Sequence, residues 1–212
     1  MELLDALFHH VCGQSPDRTW LPGGVLLPVC ERCTGLYVGA ALALGLLLWL
    51  RPRLSRPFLA LHGAFLLGMA PFGLHWIEHG PAVRTITGLA FGAAVVVFLS
   101  VQAEWAVPSP PRPARQGRRA LPGPGGSRPV SGSERNKELA DAPTRRYLLA
   151  LGFAAGAIPA LCAFGGQVAA MLLAALIAVG GACLAMLVLF NGVVFLGWLV
   201  RLGRRLAAPA AA

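Results

Sequence analysis

Three of the five cysteines lie in the polar segment that opens the chain, where their spacing suits metal binding or thiol chemistry. Cys30 and Cys33 are three residues apart, so they share one face if this segment is helical. The glycines and prolines of residues 22–28 mark a turn that can fold Cys12 back toward them. Three thiolates and one imidazole are a common ligand set for zinc. We therefore predict a metal site, with zinc as the ion, that contains Cys12, Cys30 and Cys33.

The fourth ligand of such a site is expected to come from the amino terminus. Residues 1–12 are predicted to form a short amphipathic helix at the membrane surface, with Leu3 and Leu7 on its apolar side. His10 falls on that inward side, whereas His9 falls on the solvated side with the acidic residues. The sequence therefore predicts His10 as the nitrogen ligand and His9 as its substitute.

The same cysteines allow two other interpretations. Cys30 and Cys33, or Cys12 and one of them, can form a structural disulfide outside the cytoplasm. Cys30 and Cys33 can also form a catalytic dithiol, because a helix amino terminus and Arg32 both stabilise a thiolate. The odd number of cysteines excludes only a complete disulfide framework.

A second polar sequence, His75-Trp76-Ile77-Glu78-His79, has the H-x-x-E-H spacing of inverted zinc peptidases. A peptidase of that class also needs a soluble helical scaffold and a distal ligand, and the sequence shows neither. We therefore assign no catalytic residue, and Trp76 is interpreted as an anchor at the membrane surface. His75 and His79 remain additional ligand candidates, because they are expected on the same face of the membrane as the cysteines.

The composition indicates a membrane protein. Of the 212 residues, 56% are hydrophobic and only 13% are charged, and the mean hydropathy is +0.65. The net charge of +9 comes mainly from arginines that flank apolar runs, since Lys137 is the only lysine. This placement orients helices in a bilayer and does not favour nucleic-acid binding. The predicted partner is the lipid bilayer.

Five apolar runs approach or exceed the length of about 20 residues that a helix needs to cross a bilayer. They are residues 34–50, 57–72, 85–107, 147–164 and 168–200. The sequence thus predicts an all-α, polytopic integral membrane protein with about five transmembrane helices. The last run is long enough to cross and then continue, and Gly180-Gly181 marks a point where it can bend.

The arginines also predict the orientation. Basic residues are concentrated after the first, third and fifth runs, and short loops rich in Lys and Arg stay in the cytoplasm. The amino terminus is then outside, the carboxyl terminus is cytoplasmic, and the protein is multi-pass in the cell (inner) membrane. The predicted organisation is an extracytoplasmic Cys/His segment (1–33), a three-helix unit (34–107), a disordered basic linker (108–145), a two-helix unit (146–200) and a cytoplasmic tail (201–212).

Two pairs of glycines predict close packing between the first and third membrane helices. Gly35 and Gly39, and Gly88 and Gly92, each form a small-xxx-small face near the outer end of its helix. Such packing brings the turn with the cysteines near Arg84. That arginine is a candidate for a lipid-headgroup anchor, an ion-pair partner for a glutamate, or a contact for an anionic ligand.

These features resemble DUF2085, a family of uncharacterised prokaryotic membrane proteins. The resemblance rests on residues 12–20 (CGQSPDRTW), residues 27–39 (LPVCERCTGLYVG), and Arg84 with Thr87-Gly88 and Gly92. The family usually has a histidine at the position of Gly13, so a candidate ligand of the family is absent here. Either His9 or His10 takes its place, or the site is not a four-ligand metal site. It also tends to have an acidic residue where this chain has Pro71-Phe72. The resemblance implies no activity.

The leading hypothesis is a membrane protein of unassigned activity whose extracytoplasmic cluster binds a transition metal for structure or metal handling. One alternative is a membrane thiol-disulfide oxidoreductase in which Cys30 and Cys33 exchange with Cys12 and pass electrons to a quinone. Another is a structural membrane subunit in which the cysteines form a disulfide clip. The sequence does not favour an enzyme.

Overall fold

A computed structural model describes residues 2–73, 76, 78–106 and 132–207, and in these residues the regular secondary structure is entirely helical. Two short 3-10 turns, Pro16–Arg18 and Pro22–Gly24, lie between the first two α-helices. The six α-helices are α1 Glu2–Phe8, α2 Glu31–Leu50, α3 Arg56–Gly73, α4 Pro81–Ala106, α5 Gly132–Phe164 and α6 Gln167–Ala207. The predicted all-α class is confirmed.

Four segments of the described chain are long and apolar enough to cross a membrane. They are Glu31–Leu50, Pro81–Val101, Ala142–Phe164 and Gln167–Arg201, and they correspond to four of the five predicted runs. The remaining run forms α3, whose 18 residues include Arg56, His62 and two prolines that lower its mean hydropathy. At 1.5 Å per residue α3 is about 27 Å long, close to the thickness of a bilayer core.

The path of α3 follows that of α2 in reverse. Only residues 51–55 separate the end of α2 from the start of α3. At the other end, the Arg32 Nη2 atom in the first turn of α2 donates a hydrogen bond of 2.9 Å to the Phe72 carbonyl near the end of α3. The two helices therefore run antiparallel between the same two ends of the bundle.

The centre of the bundle is α2, which packs against α4, α5 and α6. Its contact with α4 depends on small residues on both sides. A Cβ atom at Gly35 would overlap the Thr85 carbonyl, and one at Gly88 would overlap the Arg32 carbonyl. Gly39 and Gly92 are blocked in the same way by the backbone of the opposite helix. The two helices thus meet backbone to backbone at the end that carries Cys30.

The long carboxyl-terminal helix is continuous. The 41 residues of α6 extend over about 60 Å, so the helix exceeds the thickness of a bilayer core. Its helical assignment continues through Gly180-Gly181, where the sequence indicated a possible bend. Gly180 instead allows close approach, because a Cβ atom there would overlap the Tyr37 carbonyl on α2.

The start of α5 differs from the predicted boundary. The basic linker was expected to reach residue 145, but residues 132–145 are already helical, and residues 107–131 lie outside the described part of the chain. Residues 132–145 contain Glu, Lys, Leu and Ala, which favour helix. The turn-forming residues that dominated the prediction are concentrated earlier in the linker.

A buried hydrogen bond joins the two predicted membrane units. His62 on α3 and Tyr147 on α5 are both fully buried. The His62 Nδ1 atom lies 2.9 Å from the Phe58 carbonyl, which can only accept, so Nδ1 carries the proton. The Nε2 atom therefore accepts a bond of 3.2 Å from the Tyr147 hydroxyl. This pair, which the sequence analysis missed, fixes α5 against the amino-terminal helices.

Candidate metal centre

The first turn of α2 positions two of the three cysteines, as the sequence predicted. Cys30 is the N-cap residue. Its carbonyl accepts two hydrogen bonds from Thr34, one of 2.8 Å from the backbone N–H and one of 3.1 Å from the side-chain hydroxyl. These bonds fix the Cys30 backbone at the helix start. Its thiol and that of Cys33, one helical turn later, then project from the same face.

The third cysteine reaches α2 through a tight turn. Gly23-Gly24 adopts positive φ angles of 59° and 80°, a conformation that glycine tolerates best. The Gln14 side chain donates a hydrogen bond of 2.7 Å to the Pro28 carbonyl and so ties the two arms of this segment together. The Cys30 backbone N–H donates to the Cys12 sulfur at 3.2 Å. The predicted folding of Cys12 toward Cys30 is therefore confirmed.

The three sulfur atoms form one compact group. Cys12, Cys30 and Cys33 have Sγ atoms that all lie within 4.8 Å of one another, and all five cysteines of the chain are free thiols. Two sulfurs bound to one zinc ion at about 2.3 Å each are separated by about 3.8 Å. The group needs to contract by about 1 Å at most to hold an ion, so it fits a metal of this size.

The thiols influence each other's protonation. Hydrogen bonds from the side chains of Cys30 and Cys33 hold the pKa of Cys12 well below its usual range. The same hydrogen bond to Cys12 raises the pKa of Cys30. One thiolate is thus strongly stabilised, whereas further deprotonation is opposed by the negative charge already present. A bound cation supplies the charge that lets all three sulfurs ionise together.

A network of polar side chains next to the cysteines joins the start of α2 to the start of α4. Glu31 is buried, and its Oε2 atom forms an ion pair of 3.0 Å with Arg84 Nη1 on α4. The Thr85 hydroxyl donates a hydrogen bond of 3.1 Å to the Glu31 carbonyl. It also accepts a hydrogen bond of 2.8 Å from the Trp20 indole N–H. The first turn of α2 is therefore attached both to α4 and to the loop that carries Cys12.

The cluster opens onto a cavity of about 770 Å³. Its lining includes the three cysteines, the glutamates Glu31 and Glu78, the arginines Arg18, Arg32 and Arg84, and His79. The cavity thus brings together residues from the amino-terminal loop, the start of α2 and the loop between α3 and α4. These segments share one end of the bundle with the α5–α6 connection, since a Cβ atom at Gly23 would overlap the backbone of Gly166 and Gln167.

Residues 12–98 match the family described as "Predicted membrane protein (DUF2085)". This part of the chain is therefore similar to that family of membrane proteins. An uncharacterized protein from Methanothermobacter thermautotrophicus is 48% identical over 33 residues, which are 16% of this chain and only 30% of that relative. No solved structure matches the chain.

The matched region contains all three clustered cysteines, Arg84 and the glycine pairs between α2 and α4. It ends within α4, so α5 and α6 lie beyond it. The resemblance predicted from the sequence is confirmed, and the match likewise covers only about the first half of the chain. The description of the family supports a membrane setting and names no activity.

The predicted nitrogen ligands are not in the sulfur group. His10 is exposed, and its ring contacts that of His9 at a centroid distance of 6.1 Å. His9 Nδ1 lies 3.3 Å from Gln14 Oε1. The helix expected over residues 1–12 ends at Phe8, so its helical pattern does not orient these histidines. Leu3 and Leu7, expected on the inward side, are also largely exposed.

Of the two candidate histidines in the α3–α4 loop, only His79 belongs to the described residues. His75 lies outside the described residues. His79 lines the cavity, and its ring packs edge-on against that of Phe72 at a centroid distance of 4.9 Å. It is not a member of the compact sulfur group. The identity of a histidine ligand, with His10 as the first choice, stays a prediction.

Sequence reasoning missed two contacts that support the site. Trp20 donates a hydrogen bond to Thr85, which lies 65 residues away in the sequence. Arg32 donates one to the Phe72 carbonyl, which lies 40 residues away. Trp20 did occur in the motif that carried the family resemblance, but nothing in its neighbourhood indicated its partner. Pairing over such separations depends on how α3 and α4 return to the start of α2.

Proposed function

We propose that Cys12, Cys30 and Cys33 bind one zinc ion at the extracytoplasmic surface of a multi-pass protein of the inner cell membrane, for structure or for metal handling. The observation that carries this proposal is the grouping of three free thiols within 4.8 Å, contributed by two separate segments. Thiolates are preferred ligands of zinc, and the amino terminus of α2 favours their negative charge.

The extracytoplasmic location is supported by the charges at the two ends of the bundle. Arg51, Arg53 and Arg56 surround the connection between α2 and α3, at the end opposite the cysteines. Arg145 and Arg146 lie near the start of the apolar segment of α5, Ala142–Phe164, and their side chains are exposed. Basic residues of short loops tend to remain in the cytoplasm, which supports an external position for the cysteine end.

Metal analysis tests the proposal directly. Full-length protein purified in detergent without chelator should contain about one zinc ion per chain, and its clustered thiols should react with a thiol reagent only after a chelator removes the metal. Cys183→Ser is the matched control, because Cys183 is half-buried on α6 and outside the group. Protein with no metal and a disulfide involving Cys30 would reject the proposal and favour the redox or clip alternatives.

The orientation gives a separate prediction. If α3 crosses the membrane with the other four helices, a reporter fused after Ala212 should be cytoplasmic, and one inserted near Gly165 should be external. The antiparallel path of α2 and α3 supports this five-span topology. A topology assay with both reporters checks it, with membrane insertion of each fusion as the control. An external carboxyl terminus would contradict the model of five spans.

A further inference from the structure

The sulfur group covers only part of the coordination sphere of an ion. Within the described residues, no His, Asp or Glu side chain joins Cys12, Cys30 and Cys33 in the compact group. All three cysteines line the same cavity of about 770 Å³. Closed four-ligand zinc sites are structural, whereas a site with three protein ligands keeps a position for an exogenous molecule. The cavity that these cysteines line is large enough for a small organic ligand.

The wall of this cavity has a cationic group with unused hydrogen-bonding capacity. Arg32 Nη2 donates to the neutral Phe72 carbonyl, and no ion pair is formed by Arg32 within the described chain. Its Nε atom is buried and has no acceptor among the described residues. The other two arginines of the lining are already paired, Arg84 with Glu31 and Arg18 with Asp17. Arg32 is therefore the arginine of this cavity best able to receive an anionic group.

The two features select complementary parts of one ligand. An ion held by thiolates accepts a further sulfur donor, because soft ligands suit such a site. A guanidinium binds a carboxylate through charge-assisted hydrogen bonds. We propose that the cavity binds a small thiol that also carries a carboxylate, with its sulfur on the metal and its carboxylate on Arg32. This inference rests on the metal site proposed above and identifies the class of molecule that the site receives.

The binding step is ligand exchange without a change of oxidation state. The thiol loses its proton to solvent, its sulfur forms a bond to the ion, and a water molecule is released from the open position. A charge effect opposes the carboxylate, since an ion with three thiolates is itself anionic. The comparison between a thiol with and a thiol without a carboxylate therefore decides whether Arg32 outweighs that repulsion.

Cobalt-loaded, full-length protein in detergent provides the test. We expect both 3-mercaptopropionate and 2-mercaptoethanol to change the sulfur-to-cobalt absorption bands toward those of a four-sulfur site, while propionate has no such effect. The Kd for 3-mercaptopropionate should be about tenfold lower, which corresponds to about 1.4 kcal/mol. Arg32→Gln should remove this tenfold preference and leave the affinity for 2-mercaptoethanol unchanged.

Arg145→Gln is the matched control, because Arg145 is exposed on α5 and does not line the cavity. It should retain the preference of the unmodified protein. Three results would overturn the proposal: an unchanged spectrum with both thiols, release of cobalt by the thiols, or equal affinities for the two thiols. None of them would contradict the metal site proposed above. Failure to bind cobalt at all would overturn the proposed function as well. If Arg32→Gln does not fold, the comparison of the two thiols on the unmodified protein still decides.

Discussion

Each of the single substitutions Cys12→Ser, Cys30→Ser and Cys33→Ser should abolish stoichiometric metal binding. Loss of a residue that only supports a ligand typically lowers metal affinity by about 10- to 100-fold. Loss of a direct ligand should therefore lower it by more than about 100-fold. The measurement is the metal content of each purified variant, followed by competition with a chelator of known affinity.

Cys12→Ser separates metal binding from structural damage. In the protein, the Cys12 sulfur accepts a hydrogen bond from the Cys30 backbone, and a serine hydroxyl can accept the same bond. We therefore expect the variant to remain folded in detergent without metal. Cys162→Ser and Cys183→Ser, which change thiols outside the group, should retain metal. Full metal content in all three cluster variants would contradict the assignment of the ligands.

Local sequence patterns were sufficient to predict the three cysteines of the sulfur group. The three-residue spacing of Cys30 and Cys33 has a direct meaning on a helix, and the glycine-rich turn indicated how Cys12 could return to them. The same reasoning did not orient His10. It assumed a helix through residue 12, whereas the chain leaves the helix after Phe8, whose ring packs against Tyr37 and Gly181. That contact comes from α2 and α6 and is absent from the local pattern.

The fold was predictable to a similar depth. All five apolar runs are helical over their described residues, because long apolar segments have few other ways to satisfy their backbone polar groups in a bilayer. Hydropathy alone does not identify α3 as a membrane span, since His62 is a polar residue within it. The structure explains how this histidine is accommodated: its ring is hydrogen-bonded at both nitrogens, to Phe58 and Tyr147. Such long-range satisfaction of a polar side chain cannot be read from one segment.

We expect formation of the cluster to depend on the contact between α2 and α4. A valine at Gly35 would force its side chain into the Thr85 carbonyl, and neither helix backbone can move away without disturbing the bond between Thr85 and the Glu31 carbonyl. Insertion of atoms into a packed interface costs about 1–3 kcal/mol and occasionally more. At this backbone-to-backbone contact we expect the upper end of that range or beyond.

Gly35→Val should therefore lower the thermal stability of the detergent-solubilised protein by several degrees or prevent its accumulation in the membrane, and any folded fraction should bind less metal. Gly45→Val is the matched control, because Gly45 lies on the same helix and a Cβ atom there meets no other atom within 4 Å. Both substitutions place valine in α2, so its intrinsic helix propensity contributes equally. Thermal unfolding followed by size-exclusion chromatography, with metal analysis of the folded peak, distinguishes the two variants. Equal stability and equal metal content would show that α2 and α4 can separate without loss of the cluster, which would contradict the role assigned to this contact.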